Sequence, residues 1–263
     1  MTNGQGSYNQ KSSRYILPLI VFSQFAGTSL WFAGNAVIAD VIAQLDLPAD
    51  ALTRIVTAVQ LGFITGTLVF ALLTLADRFS PSKIFFLCSL FGAATNASML
   101  IAGGMPLIMA SRFTTGFFLA GIYPIGMKIA SDCYKEGLGK AMGYLLGALV
   151  LGTAFPHLLH AIGARYNWHY VIVAVSCFAL AGGLLILLFV PDGPHRIKAS
   201  KPDLELVFKL FKNRNYRAVV FGYFGHMWEL YTFWALVPGI LVYYSRLHPA
   251  VQFNVPLVSF CII

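Results

Sequence analysis

The chain has 263 residues, of which 58% are hydrophobic and only 11% charged, with a mean hydropathy of +0.73. Soluble domains carry roughly 25% charged residues, so too little charge is present to wet a surface, and a water-soluble globule is excluded. The formal charge of +8 does not point to nucleic acid, because the basic residues cluster between apolar runs and not on one face.

Residues 1–14 are polar and read as a cytoplasmic tail. The apolar run that follows is too long for a signal-peptide core and lacks a small-x-small cleavage site, so it reads as a retained first helix. Lipid offers backbone groups no partners, and about 20 residues in a helix cross the hydrocarbon. This predicts spans near 15–38, 52–75, 83–103, 106–129, 140–163, 169–190 and 216–240. Asp46-Leu47-Pro48-Ala49-Asp50 separates the first two, Asp77 to Lys83 the next pair, and Gly103-Gly104-Met105-Pro106 is a tight turn. The expected fold is an all-α integral membrane bundle of about seven transmembrane helices plus a partial eighth. Its expected divisions are a tail over 1–14, a six-helix bundle over 15–190, a basic cytoplasmic linker over 191–215 and the start of a second bundle over 216–263. Val251–Ile263 is apolar but about half the crossing length, so the chain is expected to be truncated.

Orientation follows from the basic residues. With the N-terminus inside, cytoplasmic segments hold Lys11, Arg14, Arg78, Lys83, Lys128, Lys135, Lys140, Arg196, Lys198, Lys201, Lys209, Lys212, Arg214 and Arg217, against Arg54, Arg165 and Arg246 outside. An N-terminus in the cytoplasm and a multi-pass place in the plasma (inner) membrane are expected. Cys88, Cys133, Cys177 and Cys261 are scattered with no Cys-x-x-Cys pair, so neither a disulfide framework nor a metal site is expected.

Polar groups inside the spans carry the chemistry. An arginine well inside a span costs about 2.5–3.5 kcal/mol on insertion scales and therefore faces a partner or a wet cavity. Arg112 is such a residue, unless it snorkels to the outer interface two turns from Pro106. His226 and Glu229 are three apart and share a helix face. A carboxyl there is expected to face the cavity, stay protonated, or pair with Arg112 or His226, and the two groups suit proton coupling. Asn35, Gln60, Gln24 and Asn96 are candidates for solute contact or inter-helix bonds, and Trp31 and Tyr123 for cavity lining. His157 and His160 have no acid nearby in sequence, so metal binding is not expected. Gly62 and Gly66, Gly143 and Gly147, and Gly152 have the spacing that lets helices approach closely in lipid.

Leu75-Ala76-Asp77-Arg78-Phe79-Ser80-Pro81-Ser82-Lys83 resembles the loop signature of the major facilitator superfamily, with Leu73 and Ser80 where glycines stand and Ser82 interrupting the basic pair. Arg112-Phe113-Thr114-Thr115-Gly116 resembles that superfamily's Arg-x-x-x-Gly motif, and Gly143, Gly152 and Pro156 a degraded form of its glycine–proline motif. The resemblance implies two six-helix bundles with alternating access between them. It also implies a proton- or anion-coupling role for Arg112, and a conformational gate at Asp77, Arg78 and Gly116. In the superfamily the motif aspartate engages the second bundle, so the partner of Asp77 is expected among missing helices.

The expected function is secondary active transport of a small solute, with a small anion as first guess, coupled to protons, by a carrier that is not an enzyme and needs no cofactor. The expected partners are the solute, the bilayer and the missing second bundle. No phosphate-binding Gly-rich loop, nucleophile elbow, zinc helix or dinucleotide fingerprint occurs. A seven-helix receptor would need an outer N-terminus, a retinal protein a mid-span lysine in its last helix, and a membrane enzyme a convergent catalytic set. An inert fragment is the remaining alternative.

Overall fold

The computed structural model describes residues 10–48, 50–163, 167–196 and 209–263. The expectations for residues 1–9, for Arg165, for Lys198 and Lys201 of the linker, and for the side chains of Lys11 and Arg14 lie outside these. Among the described residues every regular element is a helix. In chain order they are α1 (Gln10–Thr28), α2 (Ala33–Leu45), α3 (Ala51–Leu72), α4 (Leu75–Arg78), α5 (Pro81–Ala97) with a 3₁₀ turn over Ser98–Ile101, α6 (Met105–Leu119), α7 (Tyr123–Cys133), α8 (Leu138–Ile162), α9 (His169–Phe189), α10 (Arg214–Leu247) and α11 (Val255–Ile262).

Six stretches are long and apolar enough to cross a membrane: Tyr15–Leu45, Ala51–Leu72, Pro81–Ile101, Met105–Cys133, Leu138–Ile162 and His169–Phe189. The first and fourth of these are each two helices joined at a break. The expected seventh helix is α10, with 34 residues and hence about 51 Å long, and α11 is the partial eighth. The helix ends follow local chemistry. Asp46 and Thr74 adopt the left-handed conformation, at φ 49° and 48°, and Pro81 and Pro106 lie in the first turns of α5 and α6, where a missing N–H costs nothing.

The bundle is apolar on both sides of each helix. On α3, Ile55, Val59, Gly62 and Gly66 face inward, while Leu61, Ile64, Leu68 and Leu72 are exposed at helical spacing. An exposed stripe of that length belongs against lipid. Ile20, Leu30, Phe32, Ile55, Phe85, Ile108, Leu119 and Leu145 fill the interior.

Small residues set the tightest approaches. A methyl on Gly62 or Gly66 would overlap the carbonyl of Phe113 or Phe117, and one on Gly116 would overlap the carbonyl of Val59, so α3 and α6 meet backbone to backbone. Gly152 meets α1 at Phe25 and Thr28 in the same way. Gly143 and Gly147 do not: both face open space, which corrects the expectation that they pack a helix. Beyond the six spans, α10 rests on the bundle through few residues, with Trp234, Ala235 and Val237 buried, while α11 packs on α8.

Candidate functional site

The site grows from the break in the first span. The Thr28 hydroxyl donates to the Gln24 carbonyl at 2.8 Å and the Ser29 hydroxyl to that of Ala26 at 2.6 Å. Such back-bonds occupy the last carbonyls of a helix and favour its ending there. The chain tightens through Leu30 N–H to Gly27 O (3.4 Å) and Trp31 N–H to Thr28 O (3.0 Å), and resumes with Ala36 N–H to Phe32 O at 3.0 Å. The carbonyls of Leu30 and Trp31 are left for another donor.

Arg112 of α6 is that donor. Its Nη2 donates to the Leu30 carbonyl at 2.9 Å and to the Trp31 carbonyl at 2.6 Å, and its Nη1 donates to Asn96 Oδ1 at 2.8 Å. The side chain is fully buried, so it does not snorkel to an interface. Gly34 makes the room, since a Cβ there would stand 3.1 Å from Arg112 Nε. Asn96 in turn donates from Nδ2 to Ser176 Oγ at 2.9 Å and to the Ile172 carbonyl at 3.4 Å. One arginine thereby ties the first, third, fourth and sixth spans. No carboxylate lies within ion-pair distance of it among the described residues, and its Nε–H has no partner.

Trp31 and Asn35 complete the break. The Trp31 ring stacks on Tyr231 of α10 at 5.0 Å and 17°, and lies 4.6 Å from Phe63. Its indole N–H and both amide atoms of Asn35 are buried with no protein partner. Tyr123, half-buried at the start of α7, lies near the phenols of Tyr223 and Tyr231. Among the described residues, half-buried Gln60 makes no hydrogen bond, and buried Gln24 leaves both amide atoms unpaired.

His226 and Glu229 form neither of the pairs that were among the expectations. Both are exposed on α10, and neither pairs with Arg112, with the other, or with any described residue. Three of the N–H groups of Arg112 go to two backbone carbonyls and an amide, and Glu229 is not within ion-pair distance of it.

At the Asp77 end of the bundle, Lys128 Nζ lies 3.0 Å from Asp77 Oδ1 and 3.4 Å from Asp132 Oδ1. Asp77 thus has a partner within the first six spans, where the expectation was one from a second bundle. Arg78 is exposed and makes no ion pair among the described residues, and Gly116 is the point where α6 comes closest to α3. Arg196 pairs with Asp192 and donates to the carbonyls of Phe79 (2.6 Å) and Asp77 (3.4 Å), while Ser80 Oγ donates to Asp192 at 2.6 Å. A cavity of about 190 Å³ beside Asp77 is lined by Thr67, Phe70, Pro124 and Lys128.

At the opposite end His160 Nε2 lies 2.8 Å from Asp40 Oδ2, and Trp168 Nε1 donates to Gln44 Oε1 at 2.6 Å, around a cavity of about 810 Å³. The acid that the sequence near His160 lacks comes from the first span. Sequence reasoning missed Asp40, Lys128 as the partner of Asp77, Ser176 and Arg196, because each pairs with a residue far along the chain. No group of three metal-ligating side chains occurs among the described residues.

Known proteins share this architecture. The chain is 23% identical over 129 residues to the probable sulfoacetate transporter SauU of Cupriavidus necator, covering 46% of this chain and 29% of that one. It is 24% identical over 90 residues to the inner membrane transport protein YnfM of Escherichia coli K12, covering 34% and 22%. Among solved structures, a bacterial homologue of the human lysosomal transporter Spinster, inward-facing and unoccupied, superposes with a TM-score of 0.63 at 17% identity, over 78% of this chain and 49% of that one. The occupied form of that homologue gives 0.59 at 17% identity. The chain spans about half the length of that structure, and less of the two relatives. Each of these is named as a transporter or as the homologue of one. The model of the Major Facilitator Superfamily matches residues 16–262, and the chain belongs to that superfamily of membrane transporters.

Proposed function

We propose that this chain supplies the first bundle and the start of the second bundle of a secondary active transporter that moves a small organic anion, coupled to protons. The observation that carries the proposal is Arg112: a buried cation that no described carboxylate compensates. A buried charge is expensive unless paired, and the unpaired Arg112 Nε–H, with the unpaired Trp31 indole and Asn35 amide of the broken first span, are donors of the kind an anionic group requires. The named substrate of one relative, sulfoacetate, is a small anion of this kind.

Coupling falls to His226 and Glu229. The Trp31–Tyr231 stack brings this part of α10 to the break, and at ~1.5 Å per residue His226 lies about 7.5 Å along the helix from Tyr231. An imidazole and a carboxyl there exchange protons with a wet cavity between the bundles. Asp77, Arg78 and Gly116 form the gate on the cytoplasmic side, with the N-terminus and the 191–215 linker on that same side of the plasma membrane. Further helices of the second bundle complete the carrier, and Asn35, Gln60 and Tyr123 line its path.

The test is uptake by the full-length protein in liposomes with an imposed proton gradient. The expected result is saturable accumulation of sulfoacetate or another small sulfonate or carboxylate, blocked by other anions of the class. Accumulation of neutral solutes with no competition from anions would refute the substrate class. A reporter in the 191–215 linker found outside the cell would refute the orientation.

A further inference from the structure

Asn96 stands between Arg112 and the sixth span, and its amide is oriented from one side only. Nδ2 donates to Ser176 Oγ at 2.9 Å and to the Ile172 carbonyl at 3.4 Å, so the other end of the amide, Oδ1, faces Arg112 at 2.8 Å. All of these groups are buried, Asn96 and Arg112 fully. An amide is suited to this place because it both donates and accepts. A carboxylate would accept from Arg112 equally well, but it would cancel the charge and leave the Ile172 carbonyl without its donor. An aliphatic side chain would leave Arg112 Nη1 unpaired in the interior, where a lone donor is costly.

We propose that Asn96 is a positioning residue for transport: it aims Arg112 at the broken end of the first span while leaving its charge uncompensated, and so sets the preference for anions. The inference rests on the anion reading of Arg112. It adds that the preference depends on the residue at 96 being neutral and oriented. Two spans that carry none of the expected site residues apart from Asn96, the third and the sixth, thereby enter the selectivity of the site. The polar partner of Asn96, Ser176, acts through it in turn.

The experiment compares wild type, Asn96→Asp and Asn96→Leu in the full-length protein, reconstituted in liposomes, with labelled sulfoacetate as probe. Hydrogen exchange over residues 28–36 is followed in the same samples. Loss of one charge-assisted interaction of about 1.4 kcal/mol or more corresponds to about a tenfold change in affinity. Asn96→Asp is expected to raise KM by about tenfold or more, keep kcat within about twofold, and leave exchange at the break as slow as in wild type. Asn96→Leu is expected to raise KM and also speed exchange at the break, because Arg112 loses its aim. A purely packing role would lower thermal stability in both variants and leave KM at the wild-type value, and that result overturns the inference. If the Asp variant does not reach the membrane, the KM of the Leu variant decides alone. Wild-type protein that takes up neither sulfoacetate nor any small carboxylate overturns the anion reading, and this inference with it; wild-type uptake with unchanged KM in the variants overturns this inference only.

Discussion

Lys128 Nζ sits 3.0 Å from Asp77 Oδ1, joining the turn between the second and third spans to the end of the fourth. The side chains are 21% and 36% exposed, so solvent screens the pair and its contribution to stability is about 1 kcal/mol or less. Its importance lies in what it holds in register. Asp77→Asn is expected to change the melting temperature in detergent little, yet to slow transport several-fold. The exchanged pair, Asp77→Lys with Lys128→Asp, should recover part of the rate. Equal loss in the single variants and the exchanged pair would show that the ion pair does not set the rate.

Gly62 and Gly116 hold α3 and α6 at backbone contact, whereas Gly143 of α8 faces open space. Gly62→Val and Gly116→Val are therefore expected to abolish folded protein, because the overlap is with main-chain carbonyls that cannot swing away. Gly143→Ala should fold at wild-type level and gain slightly in helix propensity. Size-exclusion profiles of the three variants decide, and normal folding of Gly116→Val would contradict the packing described.

Arg196 closes a ring with Asp192, Ser80 and the Phe79 carbonyl, so the segment after the sixth span is strapped to the Asp77 turn. Charge-assisted bonds of this kind, half-screened by solvent, are each worth on the order of 1 kcal/mol. Arg196→Ala should destabilise the protein by about 1–2 kcal/mol and speed hydrogen exchange over residues 75–80. Ser80→Ala should do the same to a smaller extent, and unchanged exchange in both would place the strap elsewhere.

The bundle was legible because membrane spans are written in hydropathy: runs bounded by Asp46–Asp50, by Asp77–Lys83 and by Gly103–Pro106 became helices with ends at those places. Gly62, Gly66 and Gly152 were legible for the same reason, since small residues in lipid mark close approach. The break at Ser29–Phe32 was not, because it continues an apolar run with only Ser29 polar and contains neither Gly nor Pro. The partners of Arg112 escaped too: two of the three are backbone carbonyls, which carry no side-chain signature. The spacing of His226 and Glu229 fixes that they share a face but not what that face meets, and among the described residues it is exposed.

The most direct measurement is proton-gradient-driven uptake of a small labelled sulfonate by the full-length protein in liposomes, wild type against Arg112→Gln. Glutamine keeps a polar end near Asn96 but removes the charge. Wild type is expected to accumulate the sulfonate and the variant to lose most of that accumulation, with folded variant recovered in the membrane. Equal accumulation by both proteins would contradict the role given to the buried arginine.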